Sequence, residues 1–330
     1  LFIDAVEIEY NFTESGPTAA EREILFDSPN REDSEKYAAE VLTRFMTRAF
    51  RRPVRDDELA VQMGIFRQAY AEQQEFIPAI KEALIATLVS PQFLFLFEDD
   101  LTDENQRRRL NDYEVASRLS YFLWSTMPDA ELLDSASAGK LRDPNTLVAQ
   151  VDRMLEDDRT DAFYSGFTTQ WLRMDLMDEL MIEDERWRRS YQLKDAMKQE
   201  TIAFFAELVR NDHSLMNLID SDFAVINERM AVHYGIPNVL GNEYRAVSLP
   251  ADSVRGGLLT HASCMALTTD GMITSPIYRG KWVLEKILDT PPPEAPANVP
   301  PLEDAPEIRL SLREQFAKHR EDKNCAACHQ

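Results

Sequence analysis

Glu35-Lys36-Tyr37-Ala38-Ala39-Glu40-Val41-Leu42-Thr43-Arg44-Phe45-Met46-Thr47-Arg48-Ala49-Phe50-Arg51-Arg52-Pro53 is the stretch that decides the fold class. Tyr37, Val41, Leu42, Phe45, Met46 and Phe50 recur at intervals of three and four, which places them on one face of a helix, and Pro53 stops or redirects the chain. Once begun near Glu35, this period hardly leaves the sequence. Upstream, Val6, Ile8, Tyr10 and Phe12 alternate with polar residues, the period of a half-buried strand, and Gly16-Pro17 ends it. No partner strand is visible nearby, so the expectation is a strand remnant of an upstream β domain, followed by a charged linker over Asn30 to Glu35.

Downstream, Asp56 or Asp57 is placed to cap a helix through Leu59, Met63, Phe66 and Tyr70, and Ile80, Leu84 and Leu88 carry a third that ends near Pro91. The aromatic run Phe93, Phe95, Phe97 is assigned to core. Asn111 and Glu114 have capping-box spacing ahead of Val115, Leu119, Phe122 and Leu123; Asp143-Pro144 opens a helix through Leu147, Val151, Met154 and Leu155. Phe163, Phe167, Trp171 and Leu172 form a further stripe, and Met174, Met177 and Met181 are read as core filling, not as metal ligands. The longest helix is expected over Ser190 to Val209, with Lys194, Asp195, Lys198, Glu200 and Glu207 on a solvated face and His213 near its end.

Asp220 to Asn227 is read as a polar turn entering a helix that holds His233 and Tyr234 before Gly235, with Asp220 and Asp222 as capping groups. Tyr244 to Leu249 is a short strand or extended arm. Arg255-Gly256-Gly257 leads into helical chain with His261, Cys264 and Met265; Ser275-Pro276 starts a helix whose buried face takes Trp282, Ile287 and Leu288. Pro291-Pro292-Pro293 breaks it, and an extended arm from Ala295 to Leu302 leads to a terminal helix over Glu307 to Phe316. The expected architecture is therefore mostly α: a multi-helix, bundle-like body with an N-terminal strand remnant and a proline-rich arm to a C-terminal helix. The expected domains are 1–17 (end of the β domain), 35–100, 101–240 and 241–330.

The chemistry-bearing stretch is Cys325-Ala326-Ala327-Cys328-His329. Two thiols three apart with an adjacent imidazole form the attachment pattern of a c-type haem: each thiol can add to a vinyl group and His329 can ligate the metal. Zinc held by Cys325, Cys328, His329 and His319 is an open alternative, although only one knuckle exists where structural zinc usually takes two. A thioredoxin-like pair is a third, but the run before the motif is helical and follows proline-rich chain, not a strand and loop.

The 330 residues, 44% of them hydrophobic, suffice for two or three packed units. With 36 basic and 58 acidic residues, net −22, the surface repels phosphate backbones and anionic lipid, so nucleic acid is not an expected partner. No stretch reaches the ~20 apolar residues of a membrane-spanning helix. The chain opens on Leu1 and closes one residue past the motif, so an internal piece of a longer protein is expected, with the motif bare at a mobile terminus. The missing signal segment says nothing about compartment.

Phe45 to Pro53, Tyr113 to Trp124, Arg255 to Thr260, Thr274 to Trp282, the proline arm, and His319 followed by the terminal motif together resemble the planctomycete-type multidomain c-type cytochrome proteins. The resemblance runs from about residue 35 onward. It implies a large extracytoplasmic protein of tandem domains of unknown function, often with a carbohydrate-binding-like β domain upstream. It implies haem c on Cys325 and Cys328, with His329 as proximal ligand. Arg255, Arg279 and Lys281 are candidates to pair with haem propionates, against the plainer reading of ordinary ion pairing, and Met265 and Met272 are upstream candidates for a distal ligand. The expected function is electron transfer, with another protein or the flanking domains as partner and an oxidoreductase or polysaccharide-related role; the alternative is a helical scaffold.

Overall fold

The computed structural model describes residues 16–96, 98, 108–180, 191–269, 275–292, 313, 314 and 317. The strand expected over Val6 to Phe12 and the terminal motif lie outside the described residues. The fold is mostly α, in two compact units, Leu1–Leu267 and Thr268–Gln330.

In the first unit, α1 (Ala19–Ile24) starts at a capping box that sequence reading passed over: Thr18 accepts from the Glu21 N–H at 3.1 Å and Glu21 accepts from that of Thr18 at 2.8 Å. α2 (Ser34–Phe50), α3 (Asp56–Gln73), α4 (Phe76–Leu88) and the short α5 (Pro91–Leu94) form the first helical group. The predicted face of α2 is buried through Tyr37, Val41, Leu42, Met46 and Phe50. Against it pack Met63 and Phe66 of α3 and the small Ala79 and Ala83 of α4, which let backbones approach closely. Tyr37 stacks on Phe76 with ring centres 5.1 Å apart.

Two expectations fail here. The residue ahead of α3 is Arg55, not an aspartate; Asp56 is already helical, and Glu58 reaches back to accept from the Arg55 N–H at 2.9 Å. Because Arg52 also forks onto Glu58 at 2.7 and 2.9 Å, one carboxylate serves the helix end and the guanidinium together. Phe95 is not core: it is 62% exposed, because α5 ends at Leu94 and the chain turns extended at Phe95, while Phe93 packs inward. Phe97 lies outside the described residues.

The next helices are α6 (Asp112–Trp124), α7 (Ala130–Ser137), α8 (Pro144–Leu155) and α9 (Asp161–Leu172). The Asn111–Glu114 capping box forms as its spacing requires, and Asp143 caps α8 ahead of Pro144. Leu123, Trp124, Leu132, Leu141 and Met154 make their core, where the Trp124 indole donates to the Met154 carbonyl at 3.0 Å. α10 (Tyr191–Arg210) is the longest helix; Met174 and Met177 are fully buried. Met181 lies outside the described residues.

After α10 comes a feature the sequence reading missed. Phe223–Ile226 is not a helix entry but strand β1, paired antiparallel with β2 (Arg245–Ser248), Phe223 opposite Ser248 and Ile226 opposite Arg245. Four residues are too few for a period to show, and only the partner strand settles the conformation. Asn227 caps α11 (Glu228–Tyr234), which ends on Gly235 at φ 73°. A 3-10 turn over Leu258–Thr260 leads into α12 (Ala262–Leu267).

In the second unit, Ser275 caps α13 (Pro276–Lys286), accepting from the Tyr278 N–H at 3.3 Å, and Trp282 is its buried residue. The helix stops before Leu288, which is 56% exposed instead of buried as predicted.

Candidate functional site

Along α10, Met197, Glu200, Thr201, Phe204 and Leu208 are all buried. They follow each other at intervals of three, one, three and four, a single stripe. Glu200 and Thr201 therefore sit inside the helix's apolar face, and the solvated face expected for Glu200 is corrected: it is 1% exposed. The signal was available in its spacing from Met197 and Phe204, but a charged residue in such a stripe reads as polar until something is seen to pair with it.

That partner is Tyr234 at the end of α11, whose hydroxyl donates to Glu200 Oε2 at 2.6 Å and accepts from the Ala262 N–H at 2.8 Å. Arg255 lies over the Tyr234 ring, its guanidinium carbon 3.6 Å from the ring centre, and donates through Nη1 to the Thr260 carbonyl at 3.1 Å. His261 shares a hydrogen bond between Nδ1 and Thr201 Oγ1 at 3.0 Å, Thr201 shares one with Ser263 Oγ at 2.7 Å, and the His261 ring stands edge-on to Phe204. Three segments, α10, α11 and the Arg255–Cys264 stretch, thus meet around one polar core.

Burial sets the charge states. Desolvation pushes the Glu200 carboxyl up to about 8, outweighing the Tyr234 hydrogen bond, the Ala262 N–H and the Arg255 charge, so at neutral pH it keeps its proton. Burial and then Arg255 hold His261 down to about 3, a neutral imidazole. Burial raises the Tyr234 phenol well above its usual range and pushes the Cys264 thiol up to about 12. Ser263 and Cys264 are buried, and burial keeps the Cys264 thiol protonated. The cluster holds a proton on Glu200 and a cation at Arg255.

A pH dependence follows. The folded chain retains a Glu200 proton that the unfolded chain loses near the ordinary 4.5, so this group's contribution to stability is lost as pH rises towards about 8. His261 acts oppositely: its contribution is lost as pH falls from the ordinary 6.5 towards about 3. The two trends cancel between those ordinary values, and above pH 6.5 Glu200 acts alone among the groups that face it, Tyr234, Tyr244, Arg255, His261 and Cys264. Stability is expected to fall by roughly 2 kcal/mol from pH 6.5 to 8, and Glu200→Gln to flatten that fall. Urea midpoints across the interval check this; an equal slope in the variant would refute it.

Beside Tyr234 opens a cleft of about 300 Å³ walled by Met197, Val254, Ala262 and Met265, with His233, Tyr234, Arg255 and Thr260 as its polar lining. A second cleft of about 500 Å³ is rich in arginine, but Arg51 is engaged by carbonyls, Arg52 by Glu58 and Arg118 by Glu98.

Of the residues singled out in the sequence, Arg255 belongs to this buried cluster and Met265 to the cleft wall. Arg279 and Lys281 stand on α13 in the second unit, where Lys281 pairs with Glu285 at 3.5 Å. Cys325, Cys328, His329, His319 and Met272 lie outside the described residues. Among the described residues, no three His, Cys, Asp or Glu side chains converge as a metal site, and no helix is long and apolar enough to cross a membrane.

Three family models match in tandem, each described as a protein of unknown function: PSD5 (DUF1595) over 37–98, PSD4 (DUF1592) over 110–236 and PSCyt3 (DUF1588) over 255–330. No curated protein and no solved structure matches the chain. The buried cluster draws Glu200 and Tyr234 from the PSD4 stretch and Arg255 and His261 from the PSCyt3 stretch. With these three domains following one another along its length, the chain belongs to the planctomycete-type cytochrome c proteins built from tandem domains of unknown function.

Proposed function

We propose that this chain is the haem-bearing part of an extracytoplasmic electron-transfer protein. The observation that carries the reading is the donor set Cys325, Cys328 and His329, which falls inside the stretch matched by the PSCyt3 model. Two thiols at this spacing can form the two thioether bonds of haem c, and the imidazole can ligate its iron; bound there, the haem supplies one-electron chemistry. The chain's own contribution is to supply those three donors. Arg279 and Lys281, in the same unit as the motif, are the basic groups suited to the propionates. Arg255 lies in the other unit.

Covalent attachment of this kind takes place outside the cytoplasm, which gives the proposed compartment. The net charge of −22 favours a redox partner that presents a basic face, whether a separate protein or a flanking domain. A polysaccharide-related substrate enters only through such a partner.

The test is expression of the full-length natural protein in a host that matures c-type haem, followed by a pyridine haemochrome spectrum. A covalent haem band that disappears when Cys325→Ala and Cys328→Ala are combined is expected. No band, with stoichiometric zinc found instead, or a band that survives the double substitution, refutes the proposal. Carbohydrate-dependent reduction of the haem then separates a redox enzyme from a carrier.

A further inference from the structure

We infer that the cleft beside Tyr234 is a binding site for a small carboxylate with an apolar body, anchored by Arg255. In a chain whose acidic residues far outnumber its basic ones, Arg255 makes no ion pair with any described carboxylate. Among the described residues, its guanidinium donates through Nη1 alone, to the Thr260 carbonyl, while the Tyr234 ring covers one guanidinium face. The donors that remain match the fork geometry of a carboxylate. The arginines of the 500 Å³ cleft are engaged more fully, Arg51 by three carbonyls and Arg52 and Arg118 each by two bonds to a carboxylate.

The walls decide what the carboxylate is attached to. Met197, Val254, Ala262 and Met265 offer apolar surface, and about 300 Å³ is room for a short chain or a single ring. His233 and Thr260 complete the lining, the Thr260 hydroxyl already bonded to the Gly256 N–H and the Gly257 carbonyl, so a sugar acid would find few partners for its several hydroxyls and the site favours an apolar carboxylate over a uronate. The carboxyl behind Tyr234 is Glu200, which stays neutral at pH 7 and so leaves the Arg255 charge uncompensated. As pH rises through about 8, Glu200 ionises and the attraction for an anion weakens.

Titration calorimetry on the full-length natural protein tests this with butyrate, butyramide and glucuronate. Butyrate is expected to bind about tenfold or more tighter than the neutral amide, since a charge-assisted pair is at stake, and tighter than glucuronate. Its affinity should fall between pH 6.5 and 9, and fall equally in His233→Gln, which removes the other titratable side chain lining the cleft. Arg255→Gln and Met265→Trp, the second filling the cleft without touching the cation, should each abolish binding, with circular dichroism confirming that they fold. If Arg255→Gln does not fold, the ligand series on the natural protein and Met265→Trp decide. Equal heats from butyrate and butyramide, preference for glucuronate, or unchanged affinity in a folded Arg255→Gln overturns the inference. The same titration on the chain carrying Cys325→Ala and Cys328→Ala should retain butyrate binding; loss there would assign the Arg255 charge to the haem reading and overturn a separate site.

Discussion

Gly257→Ala is expected to cost about 3 to 4 kcal/mol, a large share of the ~5–15 kcal/mol that holds a typical domain together. Gly257 has φ 69° and ψ 179°, a region that essentially only glycine adopts and that costs an L side chain roughly 1–3 kcal/mol. A Cβ there would meet the Ile219 carbonyl oxygen at 2.6 Å and that of Leu218 at 2.8 Å. These are backbone atoms that cannot swing aside, so the overpacking cost of roughly 1–3 kcal/mol adds to the strain. The control is Gly139→Ala, with φ 67° but open space around the new Cβ, for which only the strain remains. Urea midpoints of the two variants should separate clearly; equal losses would show that the close approach at Gly257 carries no weight. Gly257 stands two residues from Arg255, so a folded Gly257→Ala chain should also bind butyrate more weakly.

Arg51→Met is expected to cost about 3 kcal/mol or more. Arg51 ends α2 in the left-handed region at φ 60° and is 4% exposed. Its Nη2 donates to the carbonyls of Gln92 and Phe95, both at 2.8 Å, and its Nη1 to the Phe93 carbonyl at 3.2 Å and the Tyr121 hydroxyl at 3.3 Å. One guanidinium thus satisfies the carbonyls around α5 and joins the first helical group to α6. Methionine fills much of the same volume but leaves those acceptors unpaired, at roughly 1–3 kcal/mol each where water cannot replace the donor. Arg51→Lys should recover only part of the loss, because an ammonium lacks the planar fork that reaches separated carbonyls. Thermal unfolding of both variants is the measurement; a Met variant within about 0.5 kcal/mol of the parent would place the residue among ordinary surface positions.

The helices were legible because amphipathic periodicity is a local property. The face of α2 from Tyr37 to Phe50 and the Asn111–Glu114 box follow from residue spacing over one or two turns. The aspartates ahead of α3 misled because Arg55 and Glu58 supply the helix start through a carboxylate shared with Arg52. β1 was misread because Phe223–Ile226 is extended only by virtue of pairing with Arg245–Ser248. Glu200 was misplaced for a related reason: it lies 34 residues from Tyr234 along the chain, and no local pattern announces that pairing.

By itself, then, the sequence determined that the chain is mostly α, and the donor set proposed for haem, Cys325, Cys328 and His329, rests on spacing alone. Both are local matters, fixed by side chains within a few residues of each other. Only the tertiary structure decided that Glu200 is buried and protonated, that Arg255 rests on Tyr234 beside a cleft, and that His261 is neutral. Those outcomes depend on desolvation and on contacts between distant segments. A carboxylate on a helix is a surface charge or a held proton according to what packs over it.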